Sequence, residues 1–183
     1  MVYLFFATGT EEIEALATVD ILRRAGIDVQ IVSITNERTV VGAHGIRIEA
    51  DAIISQVNFA TAQMLILPGG MPGATNMADN ATLIERVRDH AYIGRPIAAI
   101  CAAPLVLGRL GLLEGKRATC SPGFEGELRG ATYTAALVEQ DGQYITGKGP
   151  AAVFDFAYAI VERLKDKATA DQLRAGMLWA EIK

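Results

Sequence analysis

The chain has 183 residues, 51% of them apolar and 21% charged, which suits one globular domain over residues 1–183 with a full hydrophobic core. Its net charge of −4 excludes the basic surface that nucleic acid or an anionic membrane would require, and no apolar run reaches the ~20 residues of a spanning helix. Two cysteines, Cys101 and Cys120, are too few for a secreted disulfide scaffold, so a reducing, cytoplasmic setting with free thiols is expected.

Residues 2–6 (VYLFF) are an apolar run of strand length with no basic region before it, and read as a first strand rather than a signal peptide. A helix is expected from Glu11, capped by Thr8 or Thr10, and ending at Gly26. Residues 27–34 (IDVQIVSI) form a second strand, so the chain opens as a βαβ unit and predicts a parallel sheet. Residues 39–50 suggest a small hairpin about Gly42 and Gly45. Two further buried strands, 64–67 (MLIL) and 97–100 (IAAI), flank a polar-faced helix over 80–91. The first runs into Pro68-Gly-Gly70-Met-Pro-Gly73, and the second into Cys101 and a helix from Ala102 to Leu110. Residues 131–146 look β-like, with a turn at 140–143, and Pro150 starts a helix that runs to about Lys165. A last helix is expected over about 170–179. Strands that end in glycine-rich turns and lead into helices describe a doubly wound α/β sheet, whose ligands bind beyond the C-terminal strand ends.

Three such ends carry chemistry. Strand 97–100 stops directly at Cys101 and a helix follows directly, which leaves room only for a tight turn flanked by the small Ala102 and Ala103. This is the layout of a nucleophile elbow. A thiolate there would face the positive end of a helix, which lowers its pKa, although a free cysteine is also commonly just a small buried hydrophobe. Gly70 lets backbone approach a ligand, so the Gly70 and Ala102 N–H groups are candidate donors to an oxyanion. Glu14 shares a helix face with Ala17, Thr18 and Ile21, so it is expected to point inward while Glu11 and Glu12 meet water. A buried carboxyl is pushed toward its neutral form, able to donate to a thiolate or move protons; the plainer alternative is a carboxylate favouring a helix N-terminus. Of the two histidines, His90 reads as a surface residue, and His44 sits in the hairpin, distant in sequence from Cys101. Neither a P-loop nor a dinucleotide fingerprint occurs, and no cluster has metal-ligand spacing, so no cofactor and no metal are expected.

Taken together, Gly9-Thr-Glu-Glu-Ile-Glu14, Val19-Asp-Ile-Leu-Arg-Arg-Ala-Gly26, Leu67-Pro-Gly-Gly70, Ala99-Ile-Cys101-Ala-Ala-Pro104, Ser121-Pro122, Thr146-Gly-Lys-Gly-Pro150 and Phe156-Ala-Tyr-Ala-Ile-Val-Glu162 resemble the ThiJ/PfpI superfamily of class I glutamine-amidotransferase-like proteins. The resemblance is strongest to its parkinsonism-associated deglycase branch. It implies a flavodoxin-like sandwich and a homodimer, with Cys101 as nucleophile, Glu14 as the protonated partner of its sulfur, and Gly70 and Ala102 as oxyanion donors. It further implies activity on small reactive carbonyls such as methylglyoxal, or on early glycation adducts of proteins and nucleotides, with an oxidation-prone cysteine. A non-enzymatic redox-sensing or chaperone-like dimer and an amidase or peptidase are the alternatives the family leaves open. One position departs from the pattern: Ser121 stands where the branch often carries a histidine, so that segment supplies no Cys101–His dyad and leaves Asp20 without its usual partner. By the same alignment His44 takes the place of an arginine that reaches across the dimer, and Arg24 is expected near the site as an anion-binding residue.

Overall fold

The computed structural model describes residues 1–181; Ile182 and Lys183, the end of the expected 1–183 domain, lie outside the described residues. The strands are β1 (Val2–Phe6), β2 (Val29–Ser33), β3 (Thr39–Val41), β4 (Arg47–Glu49), β5 (Ala52–Ile53), β6 (Met64–Leu67), β7 (Ile97–Ile100), β8 (Arg117–Ala118), β9 (Thr132–Tyr133), β10 (Val138–Asp141) and β11 (Tyr144–Gly147). The α-helices are α1 (Glu12–Arg24), α2 (Gly73–Ala78), α3 (Ala81–Tyr92), α4 (Pro104–Arg109), α5 (Val153–Leu164) and α6 (Lys167–Gly176).

The main sheet runs β10-β11-β7-β6-β1-β2-β5, parallel throughout except for the edge hairpin β10–β11. Its strands are short apolar runs without alternation because both faces are covered. On one face α1 and α5 bury Ala15, Val19, Leu22, Phe156 and Ile160 against Leu4, Phe6 and Ile66. On the other, α2, α3 and α4 bury Met77, Leu83, Val87, Leu105 and Val106 against Phe5, Leu65 and Leu67. The result is the expected flavodoxin-like three-layer sandwich. Its five inner strands, β2-β1-β6-β7-β11, follow the doubly wound order in which the chain changes direction between β1 and β6. The segments leaving β1, β6 and β7 therefore meet at one crevice.

The structure differs from the sequence expectation at several places. Within 131–146 the expected hairpin turn forms between β10 and β11, and the one unforeseen pairing is that of β9 with β8 in a separate two-strand ladder. The helix after Cys101 begins at Pro104, later than expected, since residues 101–103 are spent in the turn. The N-cap of α1 is Glu11, whose side chain accepts the Glu14 N–H at 2.7 Å, because the Thr10 hydroxyl instead accepts from the Ala7 N–H. His90 is buried rather than on the surface; its ring contacts the Pro96 carbonyl oxygen at 3.2 Å, and burial depresses its pKa to about 4.

Candidate active site

At the end of β7 the backbone reverses with no intervening loop, and Cys101 takes φ 65°, a left-handed conformation unusual for a residue with a Cβ. Two hydrogen bonds fix it there: the Cys101 N–H donates to the Gly147 carbonyl at 2.9 Å, and the Cys101 carbonyl accepts from the Ser121 N–H at 2.8 Å. A strained backbone over-determined by its neighbours is the mark of a functional elbow. The thiol is thereby held partly exposed, while Cys120 is buried.

Glu14, fully buried in the first turn of α1, points inward as expected. Its Oε2 accepts the Gly69 N–H at 2.7 Å, and its Oε1 has no hydrogen-bond partner of normal geometry among the described residues. The carboxyl lies against the Cys101 thiol. Gly69 is what permits this approach: a Cβ there would come within 2.6 Å of the Cys101 Cβ and 2.8 Å of Glu14 Oε2. The Gly69→Ala variant is accordingly expected to push the two side chains apart. A displacement of about 1 Å at such a pair costs on the order of 100-fold in rate, and the overpacking costs about 1–3 kcal/mol of stability. Steady-state assay and thermal unfolding of the variant check both.

Burial raises the Glu14 pKa to about 7, with a smaller upward push from Glu11, against the Gly69 N–H and the Cys101 thiol, which favour the carboxylate. Cys101 is pushed up to about 11, first by burial, then by the charge and hydrogen bonding of Glu14. The Gly70 N–H and the Ser121 hydroxyl act on the sulfur in the opposite sense, as donors to the thiolate. The low thiol pKa argued from a helix N-terminus is thus overturned. The helix in question has only six residues and starts three positions later, whereas the carboxyl sits beside the sulfur. What the geometry provides is a coupled pair that holds one proton between sulfur and carboxyl across the neutral range.

The donors around the sulfur are in place. Gly70, at φ 85°, packs so closely on the start of α1 that a Cβ would meet the Glu11 backbone nitrogen at 2.3 Å. The Ala102 N–H has no acceptor among the described residues, so it is free to receive an oxygen that develops negative charge. Thus Cys101, Glu14, Gly70 and Ala102 converge, and Ser121, singled out in the sequence only as a departure, joins them.

A strained cysteine at a strand-to-helix elbow, paired with a buried glutamate at the crossover point of a flavodoxin-like sheet, narrows the choice of family. The sequence profile of the DJ-1/PfpI family matches residues 1–163. The chain belongs to the DJ-1/PfpI family. It is 40% identical over 166 residues to protein DJ-1 homolog B of Arabidopsis thaliana, covering 90% of this chain but 38% of that protein, so it spans well under half the length of that relative. It is 34% identical to the glutathione-independent glyoxalase DJR-1.2 of Caenorhabditis elegans, covering 89% of this chain and 87% of that one. Among solved structures, a DJ-1 superfamily protein from Salmonella typhimurium superposes with a TM-score of 0.92 at 38% identity, covering 97% of each chain.

Two residues of this DJ-1/PfpI chain lie away from the sulfur of their own chain. Arg24, at the C-terminal end of α1, pairs with Asp20 at 2.7 Å and is half exposed. It lies ten residues beyond Glu14 on the helix, about 15 Å along the axis, so within one chain it does not reach Cys101. Asp20 therefore has a partner despite the missing histidine. His44 contacts neither Cys101 nor Glu14: its Nδ1 lies 2.8 Å from Glu12 Oε2, and its N–H donates to Glu12 Oε1 at 2.8 Å. Glu11 and Glu12 are buried rather than facing water, because the β3–β4 hairpin folds over the start of α1. Gly42 makes room for it, since a Cβ there would overlap the Glu12 carboxyl. The Glu12 contact raises the His44 pKa, and against burial, the His44 ring and the backbone N–H groups of Glu12, His44 and Ile46 hold the Glu12 carboxyl below its ordinary value. Glu11, Glu12 and His44 offer donor atoms within 4.8 Å of one another, a grouping that their spacing in the chain does not reveal. His44 Nδ1 lies 2.8 Å from Glu12 Oε2 and 3.9 Å from Glu11 Oε1.

Among the described residues, no helix is long and apolar enough to cross a membrane.

Proposed function

We propose that this protein is a cysteine-dependent enzyme acting on small reactive carbonyls without a thiol cofactor, of glyoxalase type and, on early glycation adducts, deglycase type. The observation that carries the reading is the Cys101–Glu14 pair: a nucleophile on an elbow, touching a buried carboxyl whose pKa of about 7 suits it to accept and return a proton at neutral pH. As the sulfur adds to the aldehyde carbon of a 2-oxoaldehyde, the thiol proton passes to the Glu14 carboxylate and from there to the new oxygen, giving a neutral hemithioacetal whose oxygen the Gly70 and Ala102 N–H groups receive as its charge develops. The Glu14 carboxylate then takes the proton from that carbon, the hydroxyl proton moves to the neighbouring oxygen, and Glu14 returns its proton to the neighbouring carbon. A thioester of a 2-hydroxy acid results, and water cleaves it to regenerate the thiol. The sequence is redox-neutral and consumes one water. The C. elegans relative named as a glutathione-independent glyoxalase supports the assignment. The amidase or peptidase alternative is less well supported. Among the described residues no histidine meets the sulfur, since His44 is engaged by Glu12 and His90 by Pro96. Formation of lactate from methylglyoxal in glutathione-free buffer tests the proposal; no lactate above the uncatalysed rate ends it.

The active form is proposed to be a homodimer. Ile13 and Leu16 of α1 are exposed on one helix face, and exposed Ile46 lies in the hairpin whose backbone contacts Glu12 at the start of the same helix, and we read the three as one apolar patch. His44, 69% exposed, stands at its edge, where a second copy docked on the patch would bring it toward the partner subunit. The Ile13→Glu variant is expected to shift sedimentation from dimer to monomer; an unchanged sedimentation coefficient would remove this face as the interface.

A further inference from the structure

The site opens on one side into a cavity of about 230 Å³ whose lining includes Ser121, Pro122, Leu137, Pro150 and Ala151. Cys101 does not itself line it; two elements join the cavity to the thiol. Ser121 both lines the cavity and presents its hydroxyl to the Cys101 sulfur. The far wall, Lys148 to Ala152, follows directly on Gly147, whose carbonyl holds the Cys101 N–H. The walls are mainly hydrocarbon. Leu137 is 54% exposed at the mouth, an area that a ligand would cover. The single ionisable group, Lys148, donates its ammonium to the Ala135 carbonyl at 3.1 Å, so the cavity does not call for an anion.

We propose that the carbonyl substrate carries an uncharged apolar substituent of about phenyl size, seated between Leu137, Pro122 and Pro150 while its aldehyde meets Cys101. The proposal rests on the reading of Cys101 as the nucleophile and specifies its substrate class. Size decides the matter. An apolar cavity of about 150 Å³ is enough to hold a benzene ring, so the methyl group of methylglyoxal would leave most of this one to water in contact with hydrocarbon. A ring or a branched alkyl chain fills it and displaces that water.

Two measurements test this. The first needs no turnover: Cys101 is alkylated with iodoacetanilide and with iodoacetamide and followed by peptide mass spectrometry, each rate being divided by that of free cysteine with the same reagent. The ring-bearing reagent is expected to be favoured by about tenfold or more. Ala151→Phe, which fills the cavity from an exposed position, is expected to bring the normalised ratio of the two reagents back to about one. The second is the ratio of kcat/KM for phenylglyoxal over methylglyoxal, expected to fall by a similar factor in Ala151→Phe. A normalised alkylation ratio near one, or a preference that survives Ala151→Phe, overturns the proposal. Turnover of both aldehydes with no ring preference sinks this proposal alone. Ring-selective alkylation with no turnover of either aldehyde sinks the enzyme reading, and the substrate proposed here goes with it.

Discussion

Cys101→Ser is expected to lower kcat for methylglyoxal by about a thousandfold or more while leaving the far-ultraviolet circular dichroism unchanged. The substitution changes one atom. Serine keeps the size of the side chain and places no new demand on the left-handed backbone, and the Gly147 and Ser121 hydrogen bonds that fix the elbow are made by the main chain. What is lost is ionisation: an alcohol beside a buried carboxyl does not give up its proton near neutral pH, so the step that forms the hemithioacetal loses its nucleophile. Cys120→Ser is the matched control. That sulfur lies in the core cluster on the α3–α4 side of the sheet. Its replacement is expected to cost about 1–2 kcal/mol of stability, for a hydroxyl placed among hydrocarbon, and to leave kcat within about a factor of two. Initial rates and urea unfolding of both variants decide. A Cys101→Ser protein that turns over like wild type would mean that the chemistry lies elsewhere.

The contrast between the two cysteines was legible in the chain because it depends on local order: IAAI, then cysteine, then two alanines and a proline leave one geometry for the turn. The same holds for β1, β6 and β7, whose unbroken apolar runs have no other place than the middle of a covered sheet, and for Gly69 and Gly70 after β6. The features that escaped depend on partners far away in the chain. Glu11 and Glu12 have the composition of a wet first turn, and they are buried only because the hairpin from Thr39 to Glu49 closes over them and supplies His44 as a hydrogen-bond partner of Glu12. His90 is drawn in by the Pro96 carbonyl. Strands β5, β8 and β9 have two residues each, too few for any periodicity. The thiol pKa went astray for the same reason. A short helix N-terminus is a local signal, while the carboxyl that outweighs it comes from the other end of the sheet crossover.

That carboxyl gives the second large effect. In the folded chain Glu14 titrates near 7, against an ordinary value of 4.5, so between these pH values the native state binds a proton that the unfolded chain releases. The sign follows from linkage: the contribution is complete below about 4.5 and is lost as pH rises through about 7, a loss of about 3 kcal/mol in unfolding free energy. Glu14→Gln cannot ionise, and its side-chain oxygen can still accept the Gly69 N–H. Urea unfolding at pH 5 and pH 8 is therefore expected to show wild type losing about 3 kcal/mol relative to the variant over that interval; His90, depressed to about 4 in both proteins, adds the same rise with pH to each and cancels in the comparison. At pH 8 the variant should be the more stable protein, yet with turnover reduced about a hundredfold or more, because an amide does not move the proton between the two carbons. The alkylation of Cys101 reports on the same coupling. In wild type the rate should rise in two steps, one as the pair loses its first proton near 7 and another toward about 11 as the sulfur and the carboxyl become charged together. In Glu14→Gln a single step between the two is expected, since the sulfur has neither a proton to exchange with its neighbour nor a second charge to oppose it. Equal pH profiles in the two proteins would show that Glu14 does not share a proton with Cys101, and the burial of a carboxyl at that point in the fold would then need another reason.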